Sequence, residues 1–147
     1  MVILSQREFD RFRVQAEAAY PEECCAILLG NRDGEVRWVS RVVPALNVHE
    51  DPDHRYEIAP QALITAQRKA REEGLEILGF AHSHPDAAAA PSATDLEQAY
   101  WLGCTYGIAS VEDGAFRGLR FYRLDGESLQ DRAFTQEGLR IVPTASE

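Results

Sequence analysis

Three cysteines, Cys24, Cys25 and Cys104, are all that the 147 residues contain. An odd count with no framework spacing excludes a disulfide-stapled scaffold, and no CxxC pair supports a thiolate metal site. Reduced, buried thiols are expected. Long apolar runs are missing too: none reaches the roughly 18 residues that a membrane span needs. The opening MVILSQREFD turns polar after four residues, unlike a secretory leader. These features predict a cytoplasmic protein without a membrane partner. Positive charge is scarce, with 15 Lys+Arg against 24 Asp+Glu and a formal net charge of -9. An acidic surface repels phosphate backbones, so nucleic acid is not an expected partner. Repeats, linkers and low-complexity tracts are absent. With 45% hydrophobic residues, the chain suits one compact domain over 1–147.

Periodicity then orders the elements. Residues 5–19 predict a helix, with Ser5 and Glu8 in a capping-box pattern and Phe9, Phe12, Ala16 and Ala19 on one face. Cys24 to Leu29 reads as a buried strand. A Gly30–Gly34 turn leads to a second strand, in which Val36, Trp38 and Val42 alternate with Arg37 and Arg41. Residues 44–54 read as a loop, and Tyr56 to Ile58 as a short strand. A helix starts at Pro60 and ends before Gly74. Leu75 to Ala81 is nearly all apolar, as in a central strand covered on both faces. Residues 82–91 read as a loop, though His82 and His84 continue the preceding strand. A helix from Ser92 to near Gly103 and strands at 105–111 and 117–124 follow. The tail, about 126–147, is weakly patterned. Interleaved helices and hairpins predict an α/β fold, a mixed sheet with helices packed on it.

The informative pattern is His82-x-His84, then Ser92-x-x-Asp95. Side chains two apart on an extended chain share a face, so both imidazoles can reach one ion. Pro85 cannot donate to a ladder and marks the strand's end. Asp95 falls on the first turn of the following helix, which an intervening loop can fold back. Two imidazoles and a carboxylate suit Zn²⁺, and three protein ligands leave a fourth position for water. Taken singly, a polar strand end and a capping box need no metal. A base would also be required, and Glu22 and Glu23 both precede the first buried strand. Spacing alone does not choose between them.

Together, Glu23-x-x-Ala26, His82-x-His84-Pro85 and Ser92-x-x-Asp95 resemble the JAMM (MPN+) metalloprotease motif. The flanks Pro21–Cys25, Arg55–Pro60 and His82–Asp86 are similar to the family's small bacterial branch, and the resemblance covers roughly residues 3–125. It implies a curved mixed β-sheet flanked by helices, as in cytidine deaminases. It implies His82, His84 and Asp95 as ligands of one Zn²⁺ per chain with a bound water, Glu23 as the base, and Ser92 as a catalytic oxyanion donor. Ala26 departs from the family's usual Gly, which tightens the local backbone approach.

The implied activity is a zinc hydrolase cleaving the amide bond after the terminal Gly-Gly of a ubiquitin-like (β-grasp) sulfur-carrier protein. A non-catalytic MPN module that binds such a partner, or a general zinc peptidase, is the alternative. A structural zinc would need a fourth ligand, and His49 and His54 are read as solvent-facing. The sequence does not choose the carrier, the leaving residue or the oligomeric state, and a homodimer is allowed.

Overall fold

The computed structural model describes residues 1–144. Its elements in chain order are β1 (Val2–Ser5), α1 (Gln6–Ala19), β2 (Cys25–Asp33), β3 (Val36–Ala45), α2 (Pro60–Glu72), β4 (Glu76–Pro85), α3 (Ala93–Glu97), β5 (Thr105–Glu112), β6 (Ala115–Asp125), β7 (Ala133–Glu137) and β8 (Leu139–Val142). The strands form one mixed sheet in the order β7-β6-β5-β4-β2-β3-β1-β8. β1 runs parallel to β3 and β8, and β4 parallel to β5. β7 and β8 lie at opposite ends of that order, yet only Gly138 separates them. The sheet therefore curls until its ends are joined, with the Gly138 carbonyl accepting from Val2 N at 2.8 Å.

A core lies on each face. Phe12 and Ala16 of α1 pack with Cys24, Ala26, Leu28 and Leu78 on one side. Ala66 and Ala70 of α2 pack with Ile27, Leu29, Phe80 and Tyr106 on the other. Each fully buried large side chain here, such as Phe12 or Leu28, contributes about 1.5–3 kcal/mol. As expected, this apolar run crosses the centre of the sheet, where Leu78 to Ala81 are buried, although Glu76 at its start is exposed.

Several local expectations differ from the structure. The Tyr56–Ile58 strand reduces to one bridge, Asn47 to Ile58. The tail supplies β7 and β8, whose pairing partners are distant in sequence and invisible to local pattern; residues 145–147 of that tail lie outside the described residues. α3 stops at Glu97, well short of Gly103. The tail again supplies the reason: Arg132 donates to the Leu96 and Glu97 carbonyls at 2.8 and 2.9 Å, satisfying the helix end early. Glu8 completes only half a capping box. Ser5 accepts from Glu8 N, but the Glu8 carboxylate turns to Val42 N–H and Arg11. In β3, Arg37 is buried and Trp38 exposed. A bulge leaves Ser40 unpaired, so the alternation changes phase before Val42.

A second bulge positions the site. Leu28 pairs with Gly79 but Leu29 with Ile77, which leaves Leu78 extra. Beyond it, Phe80, His82 and His84 face the α2 side. Gly79 is required there: a Cβ would meet the Thr105 carbonyl oxygen at 1.7 Å. Gly79→Ala is expected to cost about 3 kcal/mol or more, because backbone must move to relieve the overlap. Thermal denaturation measures it, and an unchanged Tm would show that the bulge can relax.

Candidate metal centre and active site

β4 delivers both imidazoles. His82 and His84 pair in parallel register with Ile108 and Ser110 of β5. Two residues apart on one strand, they share a face. Their Nε2 atoms lie 3.0 Å apart. Asp95 comes from the first turn of α3, with Oδ1 3.2 Å from His82 Nε2 and Oδ2 3.0 Å from His84 Nε2. Ser92 holds that turn in a complete capping box: its hydroxyl accepts from Asp95 N at 3.0 Å, and its own N–H donates to Asp95 Oδ2 at 2.8 Å. One ligand atom from each of His82, His84 and Asp95 falls within 4.8 Å of the others.

This spacing fits a metal. Ligands about 2.0–2.1 Å from a tetrahedral Zn²⁺ lie roughly 3.3 Å from one another, close to the separations seen here. Ring orientation fits as well. His84 Nδ1 meets the Ala88 carbonyl at 2.9 Å. A carbonyl only accepts, so Nδ1 carries a hydrogen, and it is Nε2, once free of its own proton, that can offer a lone pair to an ion. His82 stacks on Tyr56, ring centroids 4.4 Å apart, and its buried Nδ1 has no partner.

The electrostatics are those of a crowded, desolvated site. Burial lowers the His82 pKa more than Asp95 raises it. At His84 burial also pulls down, but the hydrogen bonds to Asp95 and Ala88 prevail and raise it. Burial pushes the Asp95 carboxyl up, yet the two imidazoles outweigh it and hold it well below the usual range.

The structure separates the two adjacent glutamates. Glu22 is exposed, whereas Glu23 is only 6% exposed. Glu23 N donates to Pro52 O at 2.7 Å, and its carbonyl accepts from Asn47 Nδ2 at 2.9 Å. Burial pushes the Glu23 carboxyl up to about 7, opposed by the charge of His84 and reinforced by that of Asp95. Glu23 stands outside the close trio but within its field. His54 is exposed, and His49 accepts from Asp51 N; neither joins the trio.

Sequence reasoning missed three supports. Ser83, between the histidines, is buried and accepts from Cys24 N at 2.8 Å, while its own N–H donates to the Cys24 carbonyl. It thereby locks the residue after Glu23 onto β4. Its place inside the His-x-His motif was the one available signal. Tyr56 and Asn47 act through ring stacking and loop hydrogen bonds, which leave no periodic trace. A narrow cavity of about 80 Å³, lined by His49, His54, Tyr56, Thr94, Asp95 and Gln98, opens beside the trio.

A family model described as prokaryotic homologs of the JAB domain matches residues 5–125. The desampylase of Haloferax volcanii is 38% identical over 92 residues, covering 63% of this chain and 65% of the relative. A probable TtuB-protein conjugate cleaving protease of Thermus thermophilus is 38% identical over 81 residues, covering 55% and 51%. Both matches span less than two thirds of the curated relatives' lengths. The solution structure of a Desulfitobacterium hafniense protein superimposes with a TM-score of 0.85 at 29% identity, covering 98% of this chain and 94% of that one.

The Glu23 carboxyl generates a prediction for the metal-free protein. Its folded pKa, about 7, lies above the ordinary 4.5, so the folded state keeps a proton that the unfolded chain has released. That contribution is complete below about pH 4.5 and is lost as pH rises through about 7. Glu23→Gln removes the titration. In chelator, its Tm should exceed that of the parent increasingly as pH rises across this window. Parallel pH profiles would show that the carboxyl is not held in a desolvated site.

Proposed function

Since the chain belongs to the family of prokaryotic JAB-domain homologues, we propose that it is a zinc peptidase. In this reading it hydrolyses the amide bond after the C-terminal Gly-Gly of a ubiquitin-like sulfur-carrier protein. The observation that carries it is the convergence of both imidazole Nε2 atoms on the Asp95 carboxylate, with a buried Glu23 alongside. His82, His84 and Asp95 would hold the ion. Bound there, zinc supplies Lewis-acid chemistry, acidifying water and polarising the scissile carbonyl.

The remaining work falls to the chain. Glu23 takes the proton of the attacking water and returns it to the leaving amine, a task suited to a carboxyl poised near 7. Ser92 uses its oxygen lone pair to cap Asp95 N, which leaves its O–H to donate to the developing oxyanion. Capping and catalysis by Ser92 are therefore compatible.

The narrow cavity beside Asp95 favours a tail without side chains, as Gly-Gly is. One relative is named a probable TtuB-protein conjugate cleaving protease, which supports a protein-conjugate substrate. Burying Glu23 is costly and brings nothing to a module that only binds, which favours the enzyme. Among the described residues no helix is long and apolar enough to cross a membrane. Three free, buried cysteines fit the reducing cytoplasm.

The purified protein should carry about one zinc per chain, and His84→Ala or Asp95→Ala should lose it. Glu23→Gln should retain zinc and lose at least about 10²-fold in turnover, while Glu22→Gln is nearly silent. Elemental analysis with single-turnover assays checks both, and a silent Glu23→Gln would exclude it as the base.

Substrate identity is tested by mass spectrometry. A carrier extended past Gly-Gly should be trimmed to a free diglycine end, and replacing its second Gly by Val should block cleavage. Cleavage of unrelated peptides with no change in any carrier would leave a general zinc peptidase.

A further inference from the structure

The loop joining β4 to α3 contains four consecutive alanines, Ala87 to Ala90. Their side chains offer no polar atom, so a fixed shape must come from the backbone. Three successive carbonyls each accept from a side chain: Ala87 O from Ser110 Oγ at 2.6 Å, Ala88 O from His84 Nδ1 at 2.9 Å, and Ala89 O from the Tyr122 hydroxyl at 2.8 Å. The loop's start is pinned as well, by Asp86 N donating to Val111 O at 2.7 Å. Ser110 is 8% exposed and Tyr122 7%, so both donors are anchored in the folded body. Ser110 is also the register partner of His84 on β5.

We propose that Ser110 and Tyr122 are positioning residues for His84. Peptide units are planar and linked by only two soft dihedrals per residue, so pinning the carbonyls on either side narrows the range open to the one between them. The Ala88 carbonyl is thereby held against His84 Nδ1. It orients the ring so that Nδ1 donates to the loop and Nε2 points toward Asp95 and His82. The consequence for metal binding rests on the zinc reading above; the orientation of the His84 ring does not.

The test compares the parent with the double variant Ser110→Ala, Tyr122→Phe, which removes only the two hydroxyls. Zinc affinity, measured by competition with a chromophoric chelator, should fall about 10–100-fold, the usual cost of losing support behind a ligand histidine. In metal-free protein, ¹H–¹⁵N NMR of the imidazole should show the His84 Nδ1–H protected from solvent exchange by its bond to Ala88 O in the parent, and exchanging faster in the variant. Ser110→Thr, which keeps a hydroxyl, should restore both readouts when combined with native Tyr122. If the double variant does not fold, each single variant carries the same comparison at smaller amplitude. Unchanged Nδ1–H exchange with unchanged affinity, whatever the Tm, would overturn the proposal and reduce both hydroxyls to loop stabilisers. Zinc failing to bind the parent would instead overturn the metal reading, and the NMR comparison would still decide the positioning role.

Discussion

β4 is hydrogen-bonded on both sides, antiparallel to β2 and parallel to β5, and the geometry of the site follows from that double pairing. The bulge at Leu78–Gly79 sets which face its last residues present. With one residue more or less, the two imidazoles would turn into the core beneath α1. Pairing with β2 also brings Cys25 opposite His82, so Glu23 arrives at the same end of the sheet. The Ser83 hydroxyl then fastens that junction. The register of one central strand thus brings two candidate metal ligands and a carboxyl base candidate together.

Concentrating these groups is electrostatically expensive. Two histidines and two carboxyls are withdrawn from water, and burial works against the charged form of each. The arrangement divides them by role. Asp95 stays ionised because two imidazoles face it, and Glu23 lacks comparable partners and keeps its proton to higher pH. Such opposite displacement of two nearby carboxyls is what separates a ligand from a base. A bound cation would offset the desolvation of all four, which is why the trio is coherent as a metal centre and strained as a salt-bridge cluster.

The periphery is arranged to hold this centre still. α3 is short, yet it fixes Asp95 because its first turn is capped by Ser92 and its last carbonyls are taken by Arg132. The alanine loop is shaped by donors on β4, β5 and β6. The tail, weakly patterned by itself, joins the two ends of the sheet through Gly138 and supplies Arg132. Side chains far apart in the chain therefore support each element that carries a candidate ligand.

Much of this was legible from local pattern. α1 begins at its Ser5 cap, α2 begins at Pro60 and stops before Gly74, and β4 ends at Pro85, because caps, proline and glycine act within a few residues. The His82, His84 and Asp95 group was legible because a two-residue strand repeat and a capping box are both short-range devices. What the chain did not disclose locally needed partners distant in sequence. β1, β7 and β8 are too short to show a period and exist through pairing. The phase of β3, with Arg37 inside and Trp38 outside, depends on a bulge against β2. The choice of Glu23 over Glu22 as the buried carboxyl, and its rise to about 7, required the loop at Asn47 and Pro52 to close over it. Composition and short-range spacing determined the class of fold and the candidate ligands; tertiary pairing decided the faces, burial and proton affinities, since desolvation and register are properties of the assembled sheet.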